Sequence, residues 1–156
     1  MIRRRAVLAM LAFVLATGGL VLAQSNPFVG TWKLNSAKSS FSPGPGPRSQ
    51  TRIWAADGKV TVEGVNPAGQ PTAYAYTIVP DGKSYPATGA VPNGSDAVVS
   101  RRVDANTIET SFTRGGTPAD TTTFSVSADG KVLTMTAKGT VAGGGALNDR
   151  LVLEKQ

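Results

Sequence analysis

Thr107-Ile108-Glu109-Thr110-Ser111-Phe112-Thr113 alternates: Ile108 and Phe112 share one parity, and Glu109, Ser111 and Thr113 take the other. Successive side chains of a strand point to opposite faces, so the stretch reads as a strand with one apolar and one solvated side. Phe124 and Val126 alternate in the same way against Thr123, Ser125 and Ser127. The face carrying Ile108, Phe112, Phe124 and Val126 is the expected core. Each such side chain contributes on the order of 1.5–3 kcal/mol when buried.

Outward from this pair the pattern repeats. Short runs rich in Val, Ile, Thr, Tyr and Phe recur at intervals of roughly 8–12 residues, the spacing of a sandwich or barrel. The predicted strands are Val29–Leu34, Gln50–Ala56, Lys59–Val65, Thr72–Val79, Lys83–Ala87, Ala97–Val103, Thr107–Arg114, Thr121–Ser127, Val132–Lys138 and Arg150–Lys155. Asp57-Gly58-Lys59, Asp81-Gly82-Lys83 and Asp129-Gly130-Lys131 place Asp-Gly where a tight hairpin needs positive φ, and Asp104-Ala105-Asn106 is a looser version. Hairpins join antiparallel neighbours, so the fold class is all-β: an antiparallel meander that hides its edges by closing into a barrel of eight to ten strands. Ser42-Pro43-Gly44-Pro45-Gly46-Pro47 lacks most amide donors and reads as a loop, either at a barrel rim or on the surface.

Residues 1–23 have a different character. Arg3, Arg4 and Arg5 precede an apolar stretch from Ala6 to Ala16, a Thr17-Gly18-Gly19 break and Val21-Leu22-Ala23, which fits a secretory signal peptide cut after Ala23. A retained anchor is the rival reading, because apolar character continues to Ala23. The expected layout is therefore a signal peptide over 1–23 and one barrel domain over 24–156, exported to the periplasm or outside the cell, with no stable membrane span once the signal is removed. Of 16 basic residues three lie in the signal, leaving 13 against 10 acidic ones, a net charge of +3 instead of +6. The basic residues are scattered, with Arg101-Arg102 the only adjacent pair of the mature chain, so no stripe tracks nucleic-acid phosphates.

The chain has no Cys and no His. Disulfides and thiolate metal sites are absent from an exported chain of this composition, which must stand on its hydrophobic core. His-dependent hydrolase chemistry is closed to it. Gly82-Lys83-Ser84 imitates the end of a P-loop, but the upstream glycine position is Thr77 and no helix follows. No Ser-x-x-Lys or Gly-x-Ser-x-Gly nucleophile pattern occurs. Asp57, Asp81, Asp104 and Asp129 are used by turns, and Glu63 and Glu109 fall on solvated strand faces. The expectation is a non-enzyme with neither metal nor cofactor.

Phe28-Val29-Gly30-Thr31-Trp32-Lys33-Leu34 resembles the opening strand of the calycins, the lipocalins and fatty-acid-binding proteins, whose shared signature is Gly-x-Trp. The chain also resembles small exported bacterial lipocalin-like proteins that begin with this phrase after a signal peptide. The resemblance implies a plug at the closed barrel end, built from Gly30 and Trp32 with a basic residue of the last strand, Arg150, packed over the ring. It departs from fatty-acid-binding proteins in two places. Pro43, Pro45 and Pro47 forbid a helical lid, and Leu151 and Leu153 stand where an Arg-x-Tyr carboxylate clamp would be.

Tyr74 and Tyr76 share parity on one strand, and Arg52 shares parity with Trp54 on another. Either face suits a cavity or cross-strand stacking on the surface. Alternation sends one of Arg101 and Arg102 inward, a hint of an internal anionic or polar ligand, since an unpaired buried guanidinium is costly. Candidate ligand-binding residues are thus Trp54, Tyr74, Tyr76, Arg101, Arg102, Phe112 and Arg114. The functional expectation is a carrier of a small hydrophobic or amphipathic molecule. A filled barrel that binds another envelope protein is the alternative. Without the terminal clamp, fatty acids are expected to bind poorly unless Arg101, Arg102 or Arg114 supplies the charge.

Overall fold

The predicted alternation becomes ten strands in the computed structural model, which describes residues 25–156. The signal peptide and its cleavage after Ala23 lie outside the described residues. The strands are β1 (Gly30–Leu34), β2 (Ser49–Trp54), β3 (Lys59–Val65), β4 (Pro71–Thr77), β5 (Asp81–Gly89), β6 (Ala97–Asp104), β7 (Thr107–Arg114), β8 (Thr117–Val126), β9 (Val132–Thr140) and β10 (Ala146–Lys155). Each pairs antiparallel with its sequence neighbour, and β1 pairs with β10, so the sheet closes on itself. Among the described residues there is no α-helix. The segment between β1 and β2 holds only a 3₁₀ turn, Ser36–Lys38, in keeping with its prolines.

The turns follow the sequence with one exception. Asp57, Asp81 and Asp129 each accept a hydrogen bond through Oδ1 from the backbone N–H two residues on, at 2.9, 2.9 and 3.1 Å. Asp57-Gly58 and Asp129-Gly130 turn between paired strands. Asp81-Gly82-Lys83 does not: Asp81 already pairs with Arg101 of β6, and Gly82 sits in the bulge between Asp81 and Ser84. The β4–β5 pairing is consequently short, and those two strands share only the register pairs Tyr74–Gly89, Ala75–Thr88 and Tyr76–Ala87.

Inward and outward faces separate along most strands, with Ile53 and Val103 the large apolar side chains left exposed among the described residues. Ile108, Phe112, Phe124 and Val126 are buried as the alternation predicts. Lys33, Glu63, Arg101 and Lys138 point outward into solvent.

The interior divides along the barrel axis. At one end Phe28, Trp32, Trp54, Ile108, Phe124, Leu133 and Leu153 form a dry aromatic-aliphatic plug. Trp54 lies 4.8 Å from Phe28 and 5.5 Å from Phe124, ring centroid to centroid, the latter edge-on, as aromatic quadrupoles favour. Trp32 donates from Nε1 to the Phe28 carbonyl at 2.7 Å, which satisfies its buried polar atom. The cation over Trp32 is Lys155, with Nζ 5.0 Å from the ring centroid, rather than Arg150. Arg150 is outward by register, bonded through Nη1 to the Lys38 carbonyl at 3.2 Å. Gly30 explains the spacing of the signature. Its φ of +141° suits glycine, and a Cβ there would come within 2.7 Å of Lys155 Cε.

Candidate ligand cavity

The other end of the barrel is hollow. Register places three inward layers on β2: Trp54 in the plug, Arg52 opposite Trp32 and Val62, and Gln50 opposite Gly64 towards the mouth. On β8 the same climb runs Phe124, Thr122, Asp120. Above the plug the side chains no longer meet, which leaves a cavity of about 400 Å³. That volume falls within the range of small-molecule sites, on the order of 300–1,000 Å³. Phe112, Met135, Leu147 and Leu151 give it apolar walls, and the proline loop arches over its mouth through Phe41, Pro43, Pro45 and Pro47.

A polar cluster occupies the cavity floor. Arg52 is 1% exposed. It donates from Nη1 to the Tyr76 hydroxyl and from Nη2 to Gln50 Oε1, the latter at 3.2 Å. Gln50 Nε2 in turn donates to the Tyr74 hydroxyl at 3.2 Å. The guanidinium carbon lies 5.7 Å from the Tyr76 ring centroid and 5.9 Å from that of Phe124, so aromatic faces stand where a counter-charge would be expected. Arg52 Nε is buried with no hydrogen-bond partner. Burial pushes the Tyr76 hydroxyl up from 10.0 to about 12, against the pull of the adjacent guanidinium.

Two carboxyls face the same space. Asp120 accepts from Asn93 Nδ2 at 3.1 Å and from Thr122 Oγ1 at 3.4 Å, and burial raises its pKa against these bonds. Asp149 accepts from the Ser42 backbone N–H at 2.8 Å, tying the proline loop to β10, and burial raises its pKa too. No three His, Cys, Asp or Glu side chains cluster among the described residues.

Of the residues singled out from sequence, Tyr74, Tyr76 and Phe112 line the cavity, whereas Trp54 lies beneath it in the plug. The three arginines do not. Arg101 points outward and pairs with Glu109 at 2.8 Å. Arg102 has inward parity, but it sits at the end of β6 beside a bulge, so its guanidinium turns out to the carbonyls of Asp104 and Ala105. Arg114 is exposed and donates to the Asn93 carbonyl at 2.7 Å. The inward arginine that parity led one to seek on β6 is Arg52 on β2. Its signal was the alternation Gln50, Arg52, Trp54, a polar-polar-aromatic ladder on one face.

Comparison with known protein families, with curated proteins and with solved structures returns no match. The fold and cavity define the class by themselves: a closed ten-stranded antiparallel meander barrel, plugged at one end and hollow at the other, consistent with a calycin-like layout.

Proposed function

We propose that this is an exported, non-enzymatic, lipocalin-like protein that holds one small hydrophobic or amphipathic molecule inside its barrel. The observation that carries the reading is the cavity of about 400 Å³, walled by apolar side chains and floored by a few convergent polar groups. Cores pack to near-crystalline density, so a hollow of this size in a barrel whose other half is filled supports the reading of a ligand site over that of a packing remainder. The hollow end supports the carrier reading over the interaction-module alternative, which expects a filled interior. Export is supported by the pattern of residues 1–23.

Native mass spectrometry of the protein purified from its own host tests the reading. The expected spectrum carries an additional small mass that organic extraction removes, with a fall in thermal stability after extraction. A spectrum of bare protein, combined with no stabilisation by apolar alcohols, esters or acids, overturns it. Cell fractionation with N-terminal sequencing tests export, with Gln24 expected as the first residue.

A further inference from the structure

Resting on the reading that the cavity is a ligand site, we infer that its ligand is an amphipathic monoamine, bound as the ammonium ion between Asp120 and Asp149 near the cavity mouth, with its apolar part inward against Phe112 and Met135. Three charged side chains line the cavity: Arg52, Asp120 and Asp149. Arg52 is out of a ligand's reach. It is 1% exposed, its Nε is fully buried, and its Nη1 and Nη2 donate to Tyr76 and Gln50. The rings of Tyr76 and Phe124 flank its guanidinium, so it serves the floor as a sealed structural cation. The charges open to a ligand stand higher on the walls and are negative. Asp120 is 8% exposed, and Asp149 is half-buried beneath the proline loop.

The strands carrying the two carboxyls flank β9. Its inward positions shrink from Leu133 and Met135 to Ala137, opposite Asp149, and Gly139, opposite Asp120, so β9 puts no bulk between them. Asp120 accepts only from neutral donors, Asn93 Nδ2 at 3.1 Å and Thr122 Oγ1 at 3.4 Å. Asp149 accepts through Oδ1 from the Ser42 backbone N–H at 2.8 Å, and no donor reaches its Oδ2 among the described residues. The ion pairs of the described residues all lie on the surface and include neither carboxyl. Burial raises the pKa of both, and the charge of Asp149 adds to the rise at Asp120, as befits carboxylates short of a counter-charge. One positive against two negative charges leaves the cavity at −1. A single ammonium ion balances it, and its three N–H donors suit oxygens from two side chains. Below the carboxyls Phe112, Met135 and Leu151 accept the hydrocarbon. A fatty acid would instead bring a third carboxylate beside two others, at a cost no reachable cation offsets.

Octylamine, 1-octanol and octanoate, which share one chain length, are titrated calorimetrically into the full protein at about pH 7, where amine and acid are both ionised. Octylamine is expected to bind at least about fivefold more tightly than octanol, and octanoate more weakly than either. Asp120→Asn and Asp149→Asn remove the charge and keep an acceptor oxygen, which in Asp149→Asn still ties Ser42 and the proline loop. Each is expected to weaken octylamine binding, and the two together to erase its preference, while octanol affinity moves less than about threefold. Should Asp120→Asn fail to fold, the amine-to-alcohol ratio of the unmodified protein and its fall in Asp149→Asn decide the matter. A smaller amine preference in the unmodified protein, octanoate as the tightest ligand, or an amine preference that survives the double substitution overturns the head-group assignment and leaves the container reading standing. Absence of binding by all three compounds overturns both.

Discussion

The plugged and hollow ends of the barrel are built from the same strands, yet they solve opposite problems. On β2 the step from Trp54 to Arg52 crosses the boundary, and on β8 it is the step from Phe124 to Thr122. Below it Trp32, Trp54 and Phe124 are at most 1% exposed, and the rings of Trp54 and Phe124 meet edge-on. Above it the inward positions hold Arg52, Gln50, Thr122 and Asp120, polar groups that cost desolvation and gain little in packing. The difference teaches where this fold spends its stability: one half generates it, and the other gives part of it up for a polar site in an apolar barrel. Four measurements break or sharpen that contrast.

The largest expected effect is at the plug. Trp32→Ala removes a fully buried ring, its bond to the Phe28 carbonyl and its contact with Lys155, and should cost about 3–5 kcal/mol in urea melts. A loss below about 1 kcal/mol would mean that this end is not the stabilising half.

The next effect comes from the hollow end and depends on pH. The Tyr76 hydroxyl is held at about 12 in the folded protein, against 10.0 when free. Folding raises this pKa, so the contribution is fully present below about pH 10 and is lost as pH rises through about 12, because the unfolded chain gives up its proton first. Over that window stability should fall by roughly 2–3 kcal/mol more in the unmodified protein than in Tyr76→Phe. Parallel pH curves for the two proteins would show that Tyr76 is not held neutral by burial.

Gly30→Ala probes the edge of the plug. The substitution forces a side chain onto a φ of +141° and displaces the Lys155 chain from Trp32, for an expected loss of about 1–2 kcal/mol. Trp32 fluorescence should shift along with it. An unchanged melting midpoint would show that the signature spacing is not set by this contact.

Arg101→Ala is expected to be nearly silent. It breaks a surface pair with Glu109 that water screens, with an expected change of less than about 0.5 kcal/mol and no change in ligand affinity. A loss of binding would return the site to the β6 arginines.

Much of the fold was legible because period-two alternation and Asp-Gly turns are local signals. Ile108, Phe112, Phe124 and Val126 announce their face by parity alone, and Asp57-Gly58 and Asp129-Gly130 fix adjacent pairing through contacts two residues long. Asp81-Gly82 misled because the same local bond serves a bulge as well as a hairpin. The site was less legible. Tyr74, Tyr76 and Phe112 were found by parity, but parity states only which side of the sheet a residue faces, not how far along the barrel axis it lies. That second coordinate puts Arg102 at the end of its strand, free to turn out to solvent, and Arg52 on the cavity floor.

By itself the sequence determined the all-β class, the antiparallel order, the inward face of most strands and the absence of a helical lid, since each follows from residues within one strand, turn or loop. The tertiary structure decided that Lys155 and not Arg150 covers Trp32, that the barrel is filled at one end and hollow at the other, and that Arg52 meets Tyr76 and Gln50 at the boundary. Those outcomes depend on the register of β1 against β2 and β10 and on the stagger it imposes around the closed sheet. Register is a sum over pairings between residues far apart in the chain, and no local pattern carries it.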